Sequence, residues 1–168
     1  MGSHLQEYGK SILTDEIRNI RKVGFIENYE KIDNKILVKI VNEIGLFDLN
    51  EVTYYLKQKQ HVKGDEMKWH ADDGIVSRVP ENNDYEGTYI SHNKMLVYPG
   101  NEDRPLYTLI VYGSDYGQDF NGGELVFSDD MRIKPRRGMY VFFDSREIHK
   151  LETVKSGRRN STLIKFYR

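Results

Sequence analysis

Tyr107-Thr108-Leu109-Ile110-Val111-Tyr112, Gly122-Gly123-Glu124-Leu125-Val126-Phe127, Gly138-Met139-Tyr140-Val141-Phe142-Phe143, Ile148-His149-Lys150-Leu151 and Ser161-Thr162-Leu163-Ile164-Lys165-Phe166 follow one another through the last part of the chain. Each run is short and rich in aromatic and β-branched residues, which fit a pleated, half-buried surface. Gly, Pro and Asp separate them. Short strands at regular spacing with turn residues between them predict a sandwich or barrel.

Upstream, Val52-Thr53-Tyr54-Tyr55-Leu56 begins a further strand that Lys57 to His61 continues with polar residues. Gly64-Asp65 makes a turn before Met67-Lys68-Trp69-His70. Residues 74–104 are rich in Asn, Asp, Gly and Pro, apart from the strand-like Met95-Leu96-Val97-Tyr98. An excursion of that length between strands reads as a functional or mobile loop, a candidate lid.

Helical signals lie nearer the beginning. Ile36, Leu37, Ile40, Val41 and Ile44 recur at helical spacing between a candidate N-cap, Asp33, and a candidate C-terminal stop, Gly45. This predicts an amphipathic helix over 34–44 whose apolar stripe packs on the core. Thr14-Asp15-Glu16 is read as the cap of a short helix carrying Ile17 and Ile20, and Phe25 to Tyr29 as a short strand. Met1-Gly2-Ser3-His4 reads as an expression scar. The expected organisation is one domain: 1–4 scar, 5–51 helical support and 52–168 β core, with helices covering one face of the sheets. No internal repeat or domain linker stands out.

Composition narrows the chemistry. The chain has 168 residues, with Lys+Arg 25 against Asp+Glu 26, so the formal net charge is −1. Such balance lacks the basic footprint of a nucleic-acid or membrane-surface protein. There are no cysteines. Thiolate-bound zinc, disulfides and thiol nucleophiles are excluded, and any metal must be held by His, Asp or Glu. No apolar run reaches the length of a membrane span and no signal peptide is visible, so a cytoplasmic, non-membrane location is expected.

The chemistry-bearing stretch is Trp69-His70-Ala71-Asp72. A His and an Asp two residues apart on an extended segment project to the same side, so one imidazole nitrogen and one carboxylate oxygen can reach a single metal ion. That is two-thirds of the 2-His-1-carboxylate set of non-haem Fe(II) oxygenases. His149 lies on a later strand. Ten positions beyond it stands Arg159, read as the start of the last strand, with Ser161 on the same strand face. A guanidinium with a hydroxyl beside it suits the far end of a dicarboxylic acid, through two parallel charge-assisted bonds and one further donor.

Taken together, Trp69-His70-Ala71-Asp72, Tyr107 to Tyr112, Gly122 to Phe127, Pro135 to Ser145, and His149 with Gly157-Arg158-Arg159-Asn160-Ser161 resemble the Fe(II)/2-oxoglutarate-dependent dioxygenases, most closely their prolyl-4-hydroxylase-like branch. The resemblance covers about residues 52–168. It implies a mostly β fold with flanking helices, a double-stranded β-helix (a cupin-like jelly roll). It implies that His70, Asp72 and His149 hold Fe(II), that 2-oxoglutarate is the co-substrate, and that Arg159 pairs with its distal carboxylate. Tyr112 matches the tyrosine that adds a hydroxyl there, with Ser161 a second candidate. The implied reaction takes molecular oxygen, with ascorbate as an accessory reductant. It hydroxylates a C–H bond, first of all in a prolyl residue of a peptide or protein, and releases succinate and CO2. Hydroxylation of a small molecule or free amino acid is the alternative, with a nucleic-acid base oxygenase behind it.

Several residues depart from the pattern or have plainer readings. His61 stands where this branch commonly has a tyrosine; of co-substrate contact and strand-end cap, the second is favoured. His92 is a rival metal ligand that reads better as a solvated loop residue. Alternation turns Asp73 away from Asp72 and Arg158 away from Arg159. Trp69 reads as a core or rim aromatic rather than a substrate platform. Arg158 to Thr162 echo the ending of AlkB-like demethylases, but Ile164 stands where those carry a further Arg. A cupin-like binding module would not need the Arg159 clamp. A hydrolytic zinc site would need a carboxylate base, and no Glu is evidently placed for it.

Overall fold

The computed structural model describes residues 20–72 and 105–167. Expectations that fall elsewhere lie outside the described residues: the Thr14-capped helix, the 74–104 lid, the strand-like 95–98, His92 and Asp73.

Ten strands and one α-helix make up the described fold: β1 Lys22–Phe25, α1 Asn34–Ile44, β2 Thr53–Val62, β3 Met67–His70, β4 Tyr107–Tyr112, β5 Phe120–Gly122, β6 Leu125–Phe127, β7 Arg132–Ile133, β8 Met139–Asp144, β9 His149–Leu151 and β10 Val154–Tyr167. A 3-10 turn, Leu49–Glu51, leads into β2. Helix α1 has the predicted bounds. The Asp33 side chain accepts the Ile36 amide, and Gly45 closes the helix at φ 73°, a left-handed cap that glycine adopts without strain.

The strands form two antiparallel sheets. The larger runs β1-β8-β4-β10-β2, with β5 also pairing β10; the smaller runs β3-β9-β6-β7. Period-two alternation divides the larger sheet's side chains between two cores. Leu109, Val111, Tyr140, Phe142, Ile164 and Phe166 meet Leu37, Ile40, Val41 and Ile44 of α1. Ile110, Tyr112, Val141 and Phe143 point the other way, against Leu125, Phe127 and Ile133 of the smaller sheet. Two facing sheets with a helix over the outer face of one make the double-stranded β-helix that the family resemblance implied. Among the described residues no helix is long and apolar enough to cross a membrane.

Two boundaries differ from expectation. The first strand ends at Phe25 rather than running on to Tyr29, and Asn28 takes φ 55°, which breaks an extended run. The last strand begins at Val154, so Arg159 stands inside a strand of 14 residues rather than at its start. Pairing of Val154 to Gly157 with β5 extends it there, with a register shift between Val154 and Ser156. Gly157 takes φ 78° at this irregularity, and a Cβ on it would fall onto the Asp119 carbonyl oxygen. Gly157→Ala is therefore expected to destabilise the fold by more than about 1–2 kcal/mol, from left-handed strain plus a backbone clash. A thermal melt checks this; an unchanged melting temperature would mean the strand end relaxes freely.

Candidate metal centre

His70 closes β3 and His149 opens β9, and the two are direct partners across the smaller sheet. Their rings lie 4.3 Å apart, centroid to centroid. Asp72 follows in the turn after β3, and its Oδ1 lies 3.3 Å from His70 Nε2 and 3.4 Å from His149 Nε2. All three residues are buried. The structure thus brings together the three residues read as metal ligands.

Backbone contacts decide which ring nitrogens face the centre. His70 Nδ1 lies 2.7 Å from the Lys68 carbonyl oxygen, and His149 Nδ1 lies 3.0 Å from that of Glu147. A carbonyl can only accept, so each Nδ1 carries the hydrogen and each neutral ring turns an Nε2 lone pair towards Asp72. Two lone pairs and a carboxylate oxygen then converge, all within 4.8 Å of one another. Three acceptors that close repel unless a cation lies among them. A metal about 2.1 Å from each of three ligands separates neighbouring ligands by about 3–3.5 Å, so the donor set fits a divalent ion.

Electrostatics agree with an ionised carboxylate at the centre. Burial lowers the His70 pKa, His149 adds to this, and Asp72 only partly offsets it. Burial alone would raise the Asp72 pKa, but neighbouring positive charge, that of Lys165 included, holds it well below the usual carboxylate range. Thr108 donates to Asp72 Oδ2 at 2.8 Å and lies 3.0 Å from Ser145 Oγ. The Asp72 carboxylate is thus oriented from its outer side, as metal-ligating carboxylates commonly are.

The centre opens into a pocket. Met67, Ile110, Leu125, Leu151 and Leu163 give it apolar walls, and Arg159, Ser161, His61, Lys59 and Lys165 give it polar ones. Arg159 is only 3% exposed. Its Nη2 donates to the Tyr112 hydroxyl at 3.3 Å, its Nη1 lies 3.2 Å from His61 Nδ1, and its Nε has no hydrogen-bond partner. Among the described residues no carboxylate pairs with it. A buried guanidinium with an orphaned N–H and no counter-ion is costly by itself, and a carboxylate that lies flat against its fork removes that cost. Tyr112 is fully buried, with burial pushing its pKa up although Arg159 pulls it down, so it stays a neutral hydroxyl. Ser161, two residues along β10, also lines the pocket.

Strand alternation brings these residues to one pocket, but three contributions were missed or misread. His61 does not cap a strand end: it pairs in register with Arg159 and faces the pocket. Burial, then the charges of Arg159 and Lys59, hold its pKa down to about 4. The folded state therefore resists protonating His61 while the unfolded chain accepts the proton, so this contribution to stability is lost as pH falls from about 6.5 towards about 4. His61→Gln is expected to flatten part of that acid destabilisation in melts across this range; an identical pH profile would count against a buried neutral His61. Lys59 and Lys165 were passed over as sheet residues, although alternation from His61 and Arg159 places both on the pocket face. Thr108 falls on the Tyr112 face of β4 by alternation, but its contact with Asp72 joins distant parts of the chain. Arg158 is exposed, as read. Trp69 sits at a rim, with the Lys150 ammonium 4.7 Å from its ring centroid. Among the described residues Asp72 is the only carboxylate in the pocket wall, so the general base of a hydrolytic zinc site is missing there.

Comparison with known proteins agrees with this geometry. The model of the 2OG-Fe(II) oxygenase superfamily matches residues 52–168. A mouse protein, 2-oxoglutarate and iron-dependent oxygenase domain-containing protein 3, is 28% identical over 163 residues, 90% of this chain and 44% of its own length. Its Xenopus tropicalis counterpart is 42% identical over 65 residues, 36% of this chain and 20% of its own. The chain thus spans less than half the length of these relatives. Among solved structures, the 2OG complex of the viral collagen prolyl hydroxylase of Paramecium Bursaria Chlorella virus-1 superposes with a TM-score of 0.50 at 19% identity, covering 92% of this chain and 83% of that one.

Proposed function

The chain belongs to the 2OG-Fe(II) oxygenase superfamily, and on that premise we propose that it is a dioxygenase that hydroxylates a C–H bond of a prolyl residue in a peptide or protein. Substrate, O2 and 2-oxoglutarate go to hydroxylated product, succinate and CO2. One observation carries the reading: three converging acceptors share a pocket with a buried guanidinium that has no counter-ion among the described residues. The prolyl assignment rests on the motif resemblance of residues 52–168. Residues 5–51 serve in this reading as support for a single catalytic domain.

In this assignment His70, Asp72 and His149 hold Fe(II). The iron, once bound with 2-oxoglutarate, supplies the oxygen chemistry that the protein side chains cannot. The protein's own part is placement. The Lys68 and Glu147 carbonyls keep both imidazole Nε2 atoms aimed inwards. Thr108 keeps Asp72 from rotating. Arg159 takes the distal carboxylate of 2-oxoglutarate, with the Tyr112 hydroxyl as its neighbour and Ser161 as a further donor. His61 accepts from the guanidinium through Nδ1, which leaves its Nε2–H free to donate to the same carboxylate. Ile110, Leu125, Leu151 and Leu163 exclude water from the reacting C–H bond.

The test is succinate formation from 2-oxoglutarate with added Fe(II) and ascorbate, run alone and then with proline-rich peptides, free amino acids and oligonucleotides. Stimulation by peptides, with one oxygen atom gained by proline, is the expected result. Stimulation by free amino acids alone would move the assignment to a small-molecule hydroxylase. No succinate from protein with iron confirmed bound would overturn the oxygenase reading.

A further inference from the structure

Resting on that reading, we infer that Lys59 makes the pocket selective for a substrate that carries a carboxylate close to the carbon that is hydroxylated. The charges left after the co-substrate is placed point to this. In the proposed arrangement 2-oxoglutarate spends its distal carboxylate on Arg159 and its 2-oxo acid end on the metal. Asp72 is already matched: Lys165, only 1% exposed, stands opposite Thr108 in the β10–β4 register and acts on the Asp72 carboxylate. Lys59 remains. It is half-buried and lines the same pocket, and the described residues give its ammonium neither a hydrogen bond nor an ion pair.

Its position separates it from the Arg159 clamp. In the β2–β10 ladder His61 stands opposite Arg159, Lys59 opposite Ser161 and Lys57 opposite Leu163. Alternation puts all three β2 residues on the pocket side, and two residues along a strand advance by about 6.6 Å. At the backbone, Lys59 is therefore offset from the position opposite Arg159 by more than the width of one carboxylate. Its neighbours are mostly like-charged. Burial lowers its pKa, Lys57 and Arg159 lower it further, and only Asp72 opposes them. An ammonium held partly out of water between two cations is costly, and an arriving anion relieves both the desolvation and the repulsion. Lys57, exposed on the same strand face, continues the run of positive charge along β2. An acidic residue beside the target in a peptide, or the carboxylate of a small acid, would present the same group to Lys59.

The experiment uses the protein loaded with Mn(II) in place of Fe(II) and with 2-oxoglutarate, without oxygen, so that binding is read without turnover. Calorimetry compares paired ligands that differ only as carboxylate and carboxamide. One arm uses proline peptides flanked by Asp or Glu against Asn or Gln, and the other uses the free amino acids. In the wild type the acid member should bind at least about tenfold more tightly, as one charge-assisted contact supplies. Lys59→Gln should reduce that preference to about twofold or less, and Lys59→Arg should restore it, while 2-oxoglutarate affinity stays within about twofold of wild type. Preference in the peptide arm identifies an acidic peptide, and preference in the other arm a small acid; either supports the inference. No acid preference in either arm overturns it, as does a preference that survives Lys59→Gln. A Lys59→Gln variant that loses 2-oxoglutarate affinity also overturns it, because Lys59 then belongs to the co-substrate. Failure of the wild type to bind 2-oxoglutarate at all would appear before any pair is compared, and would bring down the oxygenase assignment itself.

Discussion

Asp72→Ala is expected to abolish iron-dependent turnover. Asp72 Oδ1 is the one atom within 3.3–3.4 Å of both His70 Nε2 and His149 Nε2. Without it two imidazoles remain, and the only anionic donor that the described residues give the pocket wall is gone. Loss of a group that merely orients a ligand costs about 10–100-fold in metal affinity, so loss of the ligand itself should cost on the order of 10³-fold or more in turnover. The variant also uncovers Lys165 and unpairs Thr108, so a folding defect has to be separated from a ligation defect. Asp72→Asn does this: it keeps the shape and an acceptor for Thr108 but removes the charge. Mn(II) calorimetry and succinate formation, with a melt on each variant, are the measurements. A well-folded Asp72→Asn with wild-type metal affinity and turnover would refute the ligand assignment.

Arg159→Ala should act on the co-substrate instead. Truncating one partner of a buried, hydrogen-bonded charge pair costs about 2–4 kcal/mol, which is about 30- to 1,000-fold in affinity. The 2-oxoglutarate Kd should rise by that amount, while Mn(II) affinity changes little because Arg159 touches none of the three metal ligands. Arg159→Lys keeps the charge but loses the flat fork, and should fall between the two. Part of the lost turnover should return at high 2-oxoglutarate, so KM moves more than kcat. Unchanged 2-oxoglutarate affinity in Arg159→Ala would overturn the clamp. The fold should tolerate the change, because the wild-type guanidinium already lacks a partner at Nε.

These two residues also mark how much was legible beforehand. His-x-Asp, the second His and the Gly-x-Arg-x-Ser ending are local patterns, and each is readable because extended backbone sends alternate side chains to one face. Helix α1 was readable to the residue, since its apolar stripe, Asp33 cap and Gly45 stop are all local signals. The first strand was misjudged because Phe25 to Tyr29 has suitable side chains but a left-handed Asn28 among them. The early start of β10 was hidden because its cause is the partner strand β5, far away along the chain.

His61 and Lys59 show the same division at the site. On β2 alone they look like polar surface positions of an edge strand. Only pairing with β10 sets His61 opposite Arg159 and Lys59 opposite Ser161, and turns both towards the metal centre. The sequence by itself determined the strand-rich class and helix α1, because periodicity and spacing are properties of neighbouring residues, and together with the family resemblance it named the metal-ligating and carboxylate-binding candidates. Tertiary structure alone decided which imidazole nitrogens face inwards, that Arg159 is buried with no counter-ion among the described residues, and that Lys59 shares its pocket. Hydrogen-bond partners, desolvation and like-charge crowding depend on groups brought together from distant parts of the chain, and none of them exists until the two sheets have closed on each other.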